Sequence, residues 1–345
     1  MEFIDKTHID KLHSLISESS LIAVIGHTHP DGDSIGSALA MSSYLKANGK
    51  DTIAIFPNSI EESLKFMLEY NKNVLIFSDD NAKARKYLNS SDLIICLDFN
   101  TFNRTDEMEE ALANTYCKKV LIDHHLNPSS EEFDLIFSKT DISSTCELLY
   151  NILMNMPEIG NNPKRLPKDC ATALMTGMTT DTNNFANSVY PGTMSMASEL
   201  LAAGVDRESI IENLYNKYRE NRLRAMGYIL YKNMKITPEG VAYIIMTKEI
   251  IDKFDIQEGE TEGFVNMPLA IGKVKFSIFL KEDDMRFRVS IRSKKGFSAN
   301  EMAIKYFNGG GHECAAGGKL PITTNIASAE NAEQYILKIV KELKK

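Results

Sequence analysis

The sequence predicts an α/β fold: a mostly parallel N-terminal sheet flanked by helices, a helical linker, and a smaller C-terminal α/β domain. Three observations predict it. Short apolar runs at residues 21–25, 52–56, 93–97 and 119–122 alternate with helical periodicity, as in a sheet covered on both faces. The chain has 345 residues, more than one core ordinarily organises. The pattern then changes after the turn signal Thr237-Pro238-Glu239-Gly240.

In order, residues 10–17 read as an amphipathic helix and 21–25 as a buried strand running into Gly26. Residues 34–48 are helical, with Gly49 as the stop. A strand at 52–56 and a helix at 63–70 follow, then buried strands at 93–97 and 119–122. Ser143 or Ser144 caps a helix over 145–154. Residues 171–177 are small and apolar, suiting a buried helix that leads into Asp181. Helices at 194–203 and 207–232 come next, the second as the connector. Beyond it, strands are expected at 241–246, 273–281 and 286–292, the last two as a hairpin, and helices at 299–307 and 329–343. The domain bounds are 1–205, a helical linker over 206–235, and 236–345.

Composition narrows the function. Hydrophobic content is 43% and charged content 25%, so neither a disordered nor a fibrous class is favoured. No apolar run approaches a membrane span, and the first thirteen residues lack the plan of a secretion signal, so a cytoplasmic protein is expected. Five scattered cysteines form no CxxC pair, which argues against a disulfide framework or structural zinc site. A net charge of −8 argues against affinity for long DNA or RNA, while leaving room for a small phosphorylated substrate held by local cations and metal ions.

Four polar clusters carry the chemistry. Gly26-His27-Thr28-His29-Pro30-Asp31-Gly32-Asp33-Ser34 lies between a buried strand and a helix. Such a turn can aim His27, Asp31 and Asp33 at one point, and imidazole with carboxylate suits manganese, iron or zinc. The same residues read equally well as a turn in which Asp33 or Ser34 caps the helix. Asp98 ends the run 93–97, as a metal-bridging carboxylate or a turn former. Asp123-His124-His125 follows 119–122, with His124 as a ligand, His125 as a substrate contact and Asp123 orienting a histidine. Asp181 follows the small-residue helix. Four of the seven histidines fall in the first and third clusters, whereas His8 and His13 belong to the N-terminal helix. In open sheets ligands bind outside the carboxyl ends of the strands, where three of these clusters are expected.

The chain resembles the DHH phosphoesterases, whose naming motif is Asp123-His124-His125 here. Motif one is His27-x-x-x-Asp31-x-Asp33, motif two Asp98, and motif four Asp181 within Gly-Met-Thr-Thr-Asp-Thr-Asn. Gly309-Gly310-Gly311-His312, followed by Ala315-Ala316-Gly317-Gly318, resembles the hallmark of the DHH-associated C-terminal domain. The resemblance spans nearly the whole chain, and the two-domain layout is similar to the nanoRNase branch, the oligoribonucleases and pAp phosphatases. It implies two Mn2+ ions per site, with Mg2+ or Co2+ as substitutes. His27, Asp31 and Asp98 would bind one ion, and Asp33, Asp98, His124 and Asp181 the other, so that Asp98 bridges. Asp98, Asp123 and His125 would be catalytic, and His29 is not a family ligand position.

In the second domain the glycine run lets a backbone approach a ligand closely and aim amides at an anion. His312 adds a donor. Arg286, Arg288 and Arg292 share one strand face, the first two read as solvated. By resemblance Arg292, Ser293 and Arg104 contact substrate. The implied reaction is attack by a two-metal-activated hydroxide on very short RNA, giving 5′-mononucleotides, or on 3′-phosphoadenosine 5′-phosphate (pAp), giving AMP and phosphate. The partners expected are short RNA and small nucleotides, with neither long duplex DNA nor a membrane, and with a homodimer left open. Competing readings are a phosphodiesterase for cyclic di-AMP or linear pApA, and a non-catalytic nucleotide-binding regulator.

Overall fold

The structure, a computed structural model, describes residues 5–69, 71–311, 313–322, 326 and 328–342. The chain divides into two compact units, Met1–Asn216 and Lys217–Lys345.

The first unit contains α1 (Lys6–Glu18), β1 (Leu21–Ile25), α2 (Gly32–Ala47), β2 (Asp51–Phe56), β3 (Val74–Ile76), α3 (Asn81–Ser90), β4 (Leu93–Leu97), α4 (Glu109–Ala113), β5 (Lys118–Asp123), β6 (Leu135–Ser138), α5 (Thr145–Met154), α6 (Lys168–Asp181), α7 (Pro191–Ala202) and α8 (Arg207–Tyr215). The six strands pair in parallel in the order β3-β2-β1-β4-β5-β6. Their continuous apolar runs have a simple cause. Ile22 and Val24 of β1 point into one core, Ala23 and Ile25 into the other, and Leu93, Ile95 and Leu97 part likewise from Ile94 and Cys96 in β4. Both faces are covered, so both sets of alternate side chains are apolar.

The chain runs outward from β1 to β3, returns to β4 beside β1, and runs outward again. The carboxyl ends of β1 and β4 therefore flank a topological switch point, where open α/β sheets form their crevice. On one face α2 packs against α6 through glycines. A Cβ at Gly36 would lie 2.7 Å from the Ala173 carbonyl oxygen, and one at Gly177 3.0 Å from the Gly32 carbonyl oxygen. Backbone-to-backbone approach carries the end of α6, and hence Asp181, toward the start of α2.

The second unit contains α9 (Glu220–Tyr228), β7 (Lys235–Ile236), β8 (Val241–Met246), α10 (Lys248–Lys253), β9 (Phe276–Asp283), β10 (Arg286–Ser293), α11 (Ala299–Tyr306), β11 (Gly310–Gly311), β12 (Ala315–Pro321) and α12 (Ala329–Glu342). Its sheet has the order β11-β12-β10-β9-β8-β7 and is antiparallel except for β8 with β9. The β9–β10 hairpin forms as expected, though β9 begins at Phe276 rather than 273.

The expected single helix over 207–232 is instead two, α8 and α9, followed by a π turn over Ile229–Asn233. Side-chain contacts mark the start of α9, whose N-cap is Arg219. The Arg219 guanidinium pairs with Asp255 at 2.6 Å, and Arg222 sits over the Tyr218 ring at 3.7 Å. The expected helix over 63–70 is a 3-10 helix, Glu62–Glu69, with Tyr70 outside the described residues. The five cysteines are free. Among the described residues no helix is long and apolar enough to cross a membrane.

Candidate active site

Three adjacent strands end in the polar clusters. Gly26-His27 follows β1, Asp98 follows β4, and His124 follows β5. Each side chain is then fixed by its own local structure.

His27 is buried, and its backbone N–H donates to Ser34 Oγ at 3.0 Å. Its Nδ1 lies 2.7 Å from the Thr28 carbonyl oxygen. A carbonyl only accepts, so Nδ1 carries a proton and Nε2 is the ring nitrogen that faces the site. Nε2 lies 3.5 Å from Asp98 Oδ2 and 3.8 Å from Asp31 Oδ1. Burial works to lower the His27 pKa, but hydrogen bonding and charge from Asp31 and Asp98 outweigh it and raise it to about 10. Asp31, rather than Asp33 or Ser34, is the N-cap of α2, its Oδ1 accepting from the Asp33 and Ser34 amides at 3.0 and 3.1 Å. Its cap and candidate-ligand roles coexist.

Asp33 is buried where α2 meets the start of α5. Its Oδ2 accepts from the Thr145 amide at 2.7 Å and its Oδ1 from the Cys146 amide at 2.9 Å. Asp98 is buried with φ +67, a left-handed conformation uncommon outside glycine and turn residues. Its amide donates to the Ile122 carbonyl at 3.1 Å, and its Oδ1 accepts from Thr145 Oγ1 at 2.9 Å. Burial raises both carboxyls to about 6, helped by the charge of Asp31 at Asp33 and of Asp33 at Asp98. Asp181, the last residue of α6, is pushed well above the usual range by burial and by the charge of Asp33.

His124 Nε2 lies 3.7 Å from both Asp98 Oδ1 and Asp181 Oδ2, and burial lowers its pKa. The next ring turns away at 77°. His125 Nδ1 is 2.7 Å from Asp123 Oδ1, so Asp123 orients His125 and raises its pKa against the effect of burial. Asp123 Oδ2 is fully buried and has no partner among the described residues. The two adjacent histidines thus have different environments.

Among the described residues three overlapping sets could each hold a metal ion, their ligand atoms lying within 4.8 Å of one another: His27 with Asp31 and Asp98; Asp33 with His124 and Asp181; and Asp98 with His124 and His125. The donor set fits divalent cations. Buried carboxylates with raised pKa values lack a compensating charge, and a cation between them would supply it. His29 has φ +51, donates its amide to Asn58 Oδ1 and joins none of these sets. His8 packs edge-on to Phe137, and His13 pairs with Glu158.

Arg104 is exposed on the 3-10 helix Phe102–Met108, where its carbonyl accepts from the Thr28 amide at 2.8 Å. This bond fastens the segment to the first cluster. In the second unit Arg292 on β10 makes no ion pair among the described residues, and its Nη1 donates to the Ile291 carbonyl at 3.1 Å. Arg286 and Arg288, on the same strand face, pair with Asp283, and Arg288 also pairs with Glu258. The Ser293 hydroxyl donates to the Phe297 carbonyl.

The glycine run has a packing role that the sequence did not reveal. A Cβ on Gly309 would lie 1.9 Å from the Gly317 carbonyl oxygen, and one on Gly318 2.5 Å from that of Phe307. Gly310 pairs with Gly317, and the Gly309 and Gly311 amides donate to the Ala303 carbonyl and to Asn300 Oδ1. His312 lies outside the described residues. Sequence reasoning also missed Thr145 and Cys146, whose amides hold Asp33. Their only signal was the Ser143-Ser144 cap.

Comparison with known proteins agrees with this layout. The DHH family, N-terminal domain, matches residues 21–178, and the DHHA1 domain matches residues 240–345. An exopolyphosphatase-related protein from Bacteroides fragilis is 37% identical, each chain covering 100% of the other, with a TM-score of 0.91. The chain belongs to the DHH family. As such it is a hydrolase of the phosphoesterase class. It is 27% identical over 321 residues to a probable bifunctional oligoribonuclease and PAP phosphatase NrnA of Streptococcus mutans, covering 91% of this chain and 92% of that one. It is 32% identical over 235 residues to the cyclic-di-AMP phosphodiesterase GdpP of Bacillus subtilis, covering 64% of this chain but 34% of that one.

Proposed function

We propose that this DHH-family protein hydrolyses very short RNA to 5′-mononucleotides, and pAp to AMP and phosphate, at a two-metal centre. The observation that carries the two-metal reading is the placement of Asp98. Its Oδ2 faces His27 at 3.5 Å and its Oδ1 faces His124 at 3.7 Å, and each histidine belongs to a separate carboxylate set. His27, Asp31 and Asp98 would hold one ion, and Asp33, Asp98, His124 and Asp181 the other. Mixed imidazole and carboxylate donors suit manganese, iron or zinc, and the family resemblance selects manganese, with magnesium or cobalt as substitutes.

The bound ions would supply Lewis acidity, polarising the phosphoryl group and acidifying a water. The chain's residues do the rest. Asp123 holds the Nδ1 proton of His125, leaving Nε2 to meet a phosphoryl oxygen as negative charge develops there. Arg104 adds positive charge beside this cluster. In the second unit Arg292 and Ser293, with Gly309, Gly310, Gly311 and His312, bind the nucleotide. The net charge of −8 gives no long-range attraction for polymers, which supports short substrates over long duplex DNA.

The substrate assignment rests on likeness to the oligoribonuclease and PAP phosphatase relatives. Likeness to GdpP supports a second reading, hydrolysis of cyclic di-AMP or linear pApA. Product analysis with Mn2+ over RNA of two to about ten nucleotides, beside pAp, pApA and cyclic di-AMP, separates them. Mononucleotides from two- to four-mers with little turnover of ten-mers is the expected result. Turnover of cyclic di-AMP alone would overturn the proposal in favour of the second reading.

A further inference from the structure

We infer that Thr145 is a positioning residue for the two-metal centre, locking the carboxylates of Asp33 and Asp98 in one relative orientation; this rests on reading both as metal ligands. Thr145 is fully buried at the first position of α5 and touches both carboxylates by different groups. Its amide donates to Asp33 Oδ2 at 2.7 Å, and its hydroxyl donates to Asp98 Oδ1 at 2.9 Å. The Cys146 amide holds the other Asp33 oxygen at 2.9 Å. Asp33 is therefore gripped at both oxygens by the opening turn of one helix.

Asp98 is different. Its carboxyl torsion is broad and nearly two-fold, so packing alone discriminates poorly between rotated forms. A bridging role requires one oxygen toward each ion. The Thr145 hydroxyl marks Oδ1, the oxygen facing His124, and leaves Oδ2 to His27. Thr145 can do this rigidly. Its β-branched side chain is stiff, and the helix start that carries it is fixed by Ser144, whose Oγ accepts from the Glu147 amide at 3.0 Å. A hydroxyl that merely satisfied a buried carboxylate would affect the metal-free fold. One that orients the bridge also sets metal affinity.

The test is a Mn2+ titration of the full-length, chelator-stripped protein, read by the electron paramagnetic resonance signal of free Mn2+, which is independent of turnover. Wild type is expected to take up two ions. T145V and T145A keep the amide and remove the hydroxyl, and each is expected to weaken uptake of at least one ion by roughly 10- to 100-fold. T145S keeps the hydroxyl and is expected to retain wild-type uptake of both. Melting of each metal-free protein separates unfolding from loss of orientation, and the Ala and Ser variants carry the comparison if the Val variant does not fold. Wild-type uptake by the folded T145A or T145V protein overturns the role of Thr145 alone, as does T145S binding as weakly as T145A. Failure of wild type to bind Mn2+ overturns the two-metal reading itself, and the inference with it.

Discussion

The rim of the first sheet and the glycine segment of the second unit look alike in sequence: each is a short polar or glycine-rich stretch that suits a turn. Their structures part. At the rim, residues that follow β1 and β5 and the end of α6 converge on Asp98, just past β4, and several of the buried carboxylate oxygens are already held by a named donor. In the glycine segment, backbone presses on backbone at Gly309 and Gly318, and two of the amides are spent inside the unit. The difference lies in what each stretch must satisfy. Side chains with raised pKa values call for an external cation, whereas glycines can be required by packing alone.

The sharpest way to break this contrast is Asp98→Ala. It should lower kcat by about 1,000-fold or more, since both ions would lose a shared ligand, while far-UV circular dichroism stays native. Turnover near wild type would remove Asp98 from the centre of the account. Next in size is Gly309→Ala, where the added methyl has no room beside Gly317. It should cost about 3 kcal/mol in urea unfolding, as overpacking does, whereas an Ala at exposed Gly227, with nothing near its Cβ, should not destabilise. Unchanged stability of Gly309→Ala would remove the packing role and leave nucleotide binding as the run's sole proposed role.

The pH dependence of the metal-free protein tests the charge argument. The Asp33 carboxyl is raised from 3.8 to about 6 on folding, so the folded state binds the extra proton between those values. Its contribution is favourable below about pH 4 and is lost as pH rises through about 6. Urea unfolding of chelated wild type and Asp33→Asn should therefore diverge, with wild type losing ground as pH rises from 4 to 6.5. A gain for wild type over that window would mean that Asp33 is held low, as an already compensated carboxylate would be. The smallest effects belong to the arginine face. Arg292→Ala should raise KM about tenfold with kcat nearly unchanged. Arg288→Ala, which loses only half-exposed ion pairs with Glu258 and Asp283, should stay within about 1 kcal/mol in stability and leave steady-state kinetics alone. Equal effects on KM would dissolve the distinction between them.

Much of this was legible in the sequence because it depends on periodicity. Leu93–Leu97 is the same strand in both readings, and the placement of His27, Asp98 and His124 after strands follows from it. What periodicity does not carry was missed. The left-handed backbone of Asp98 leaves no mark on its neighbours in sequence. The approach of α2 to α6 rests on Gly36 and Gly177, which read locally as weak helix formers. Thr145 looks like a helix start until its partners, 47 residues away at Asp98 and 112 away at Asp33, are known. The break between α8 and α9 coincides with Arg219 meeting Asp255, a group remote from the local apolar pattern.

Sharing of Asp98 between two metal ions can be seen by anomalous diffraction at the manganese edge from crystals soaked in Mn2+. Two peaks are expected, one beside Asp98 Oδ2 with His27 and Asp31, the other beside Asp98 Oδ1 with Asp33, His124 and Asp181. A single peak, or two peaks neither of which touches Asp98, would contradict it.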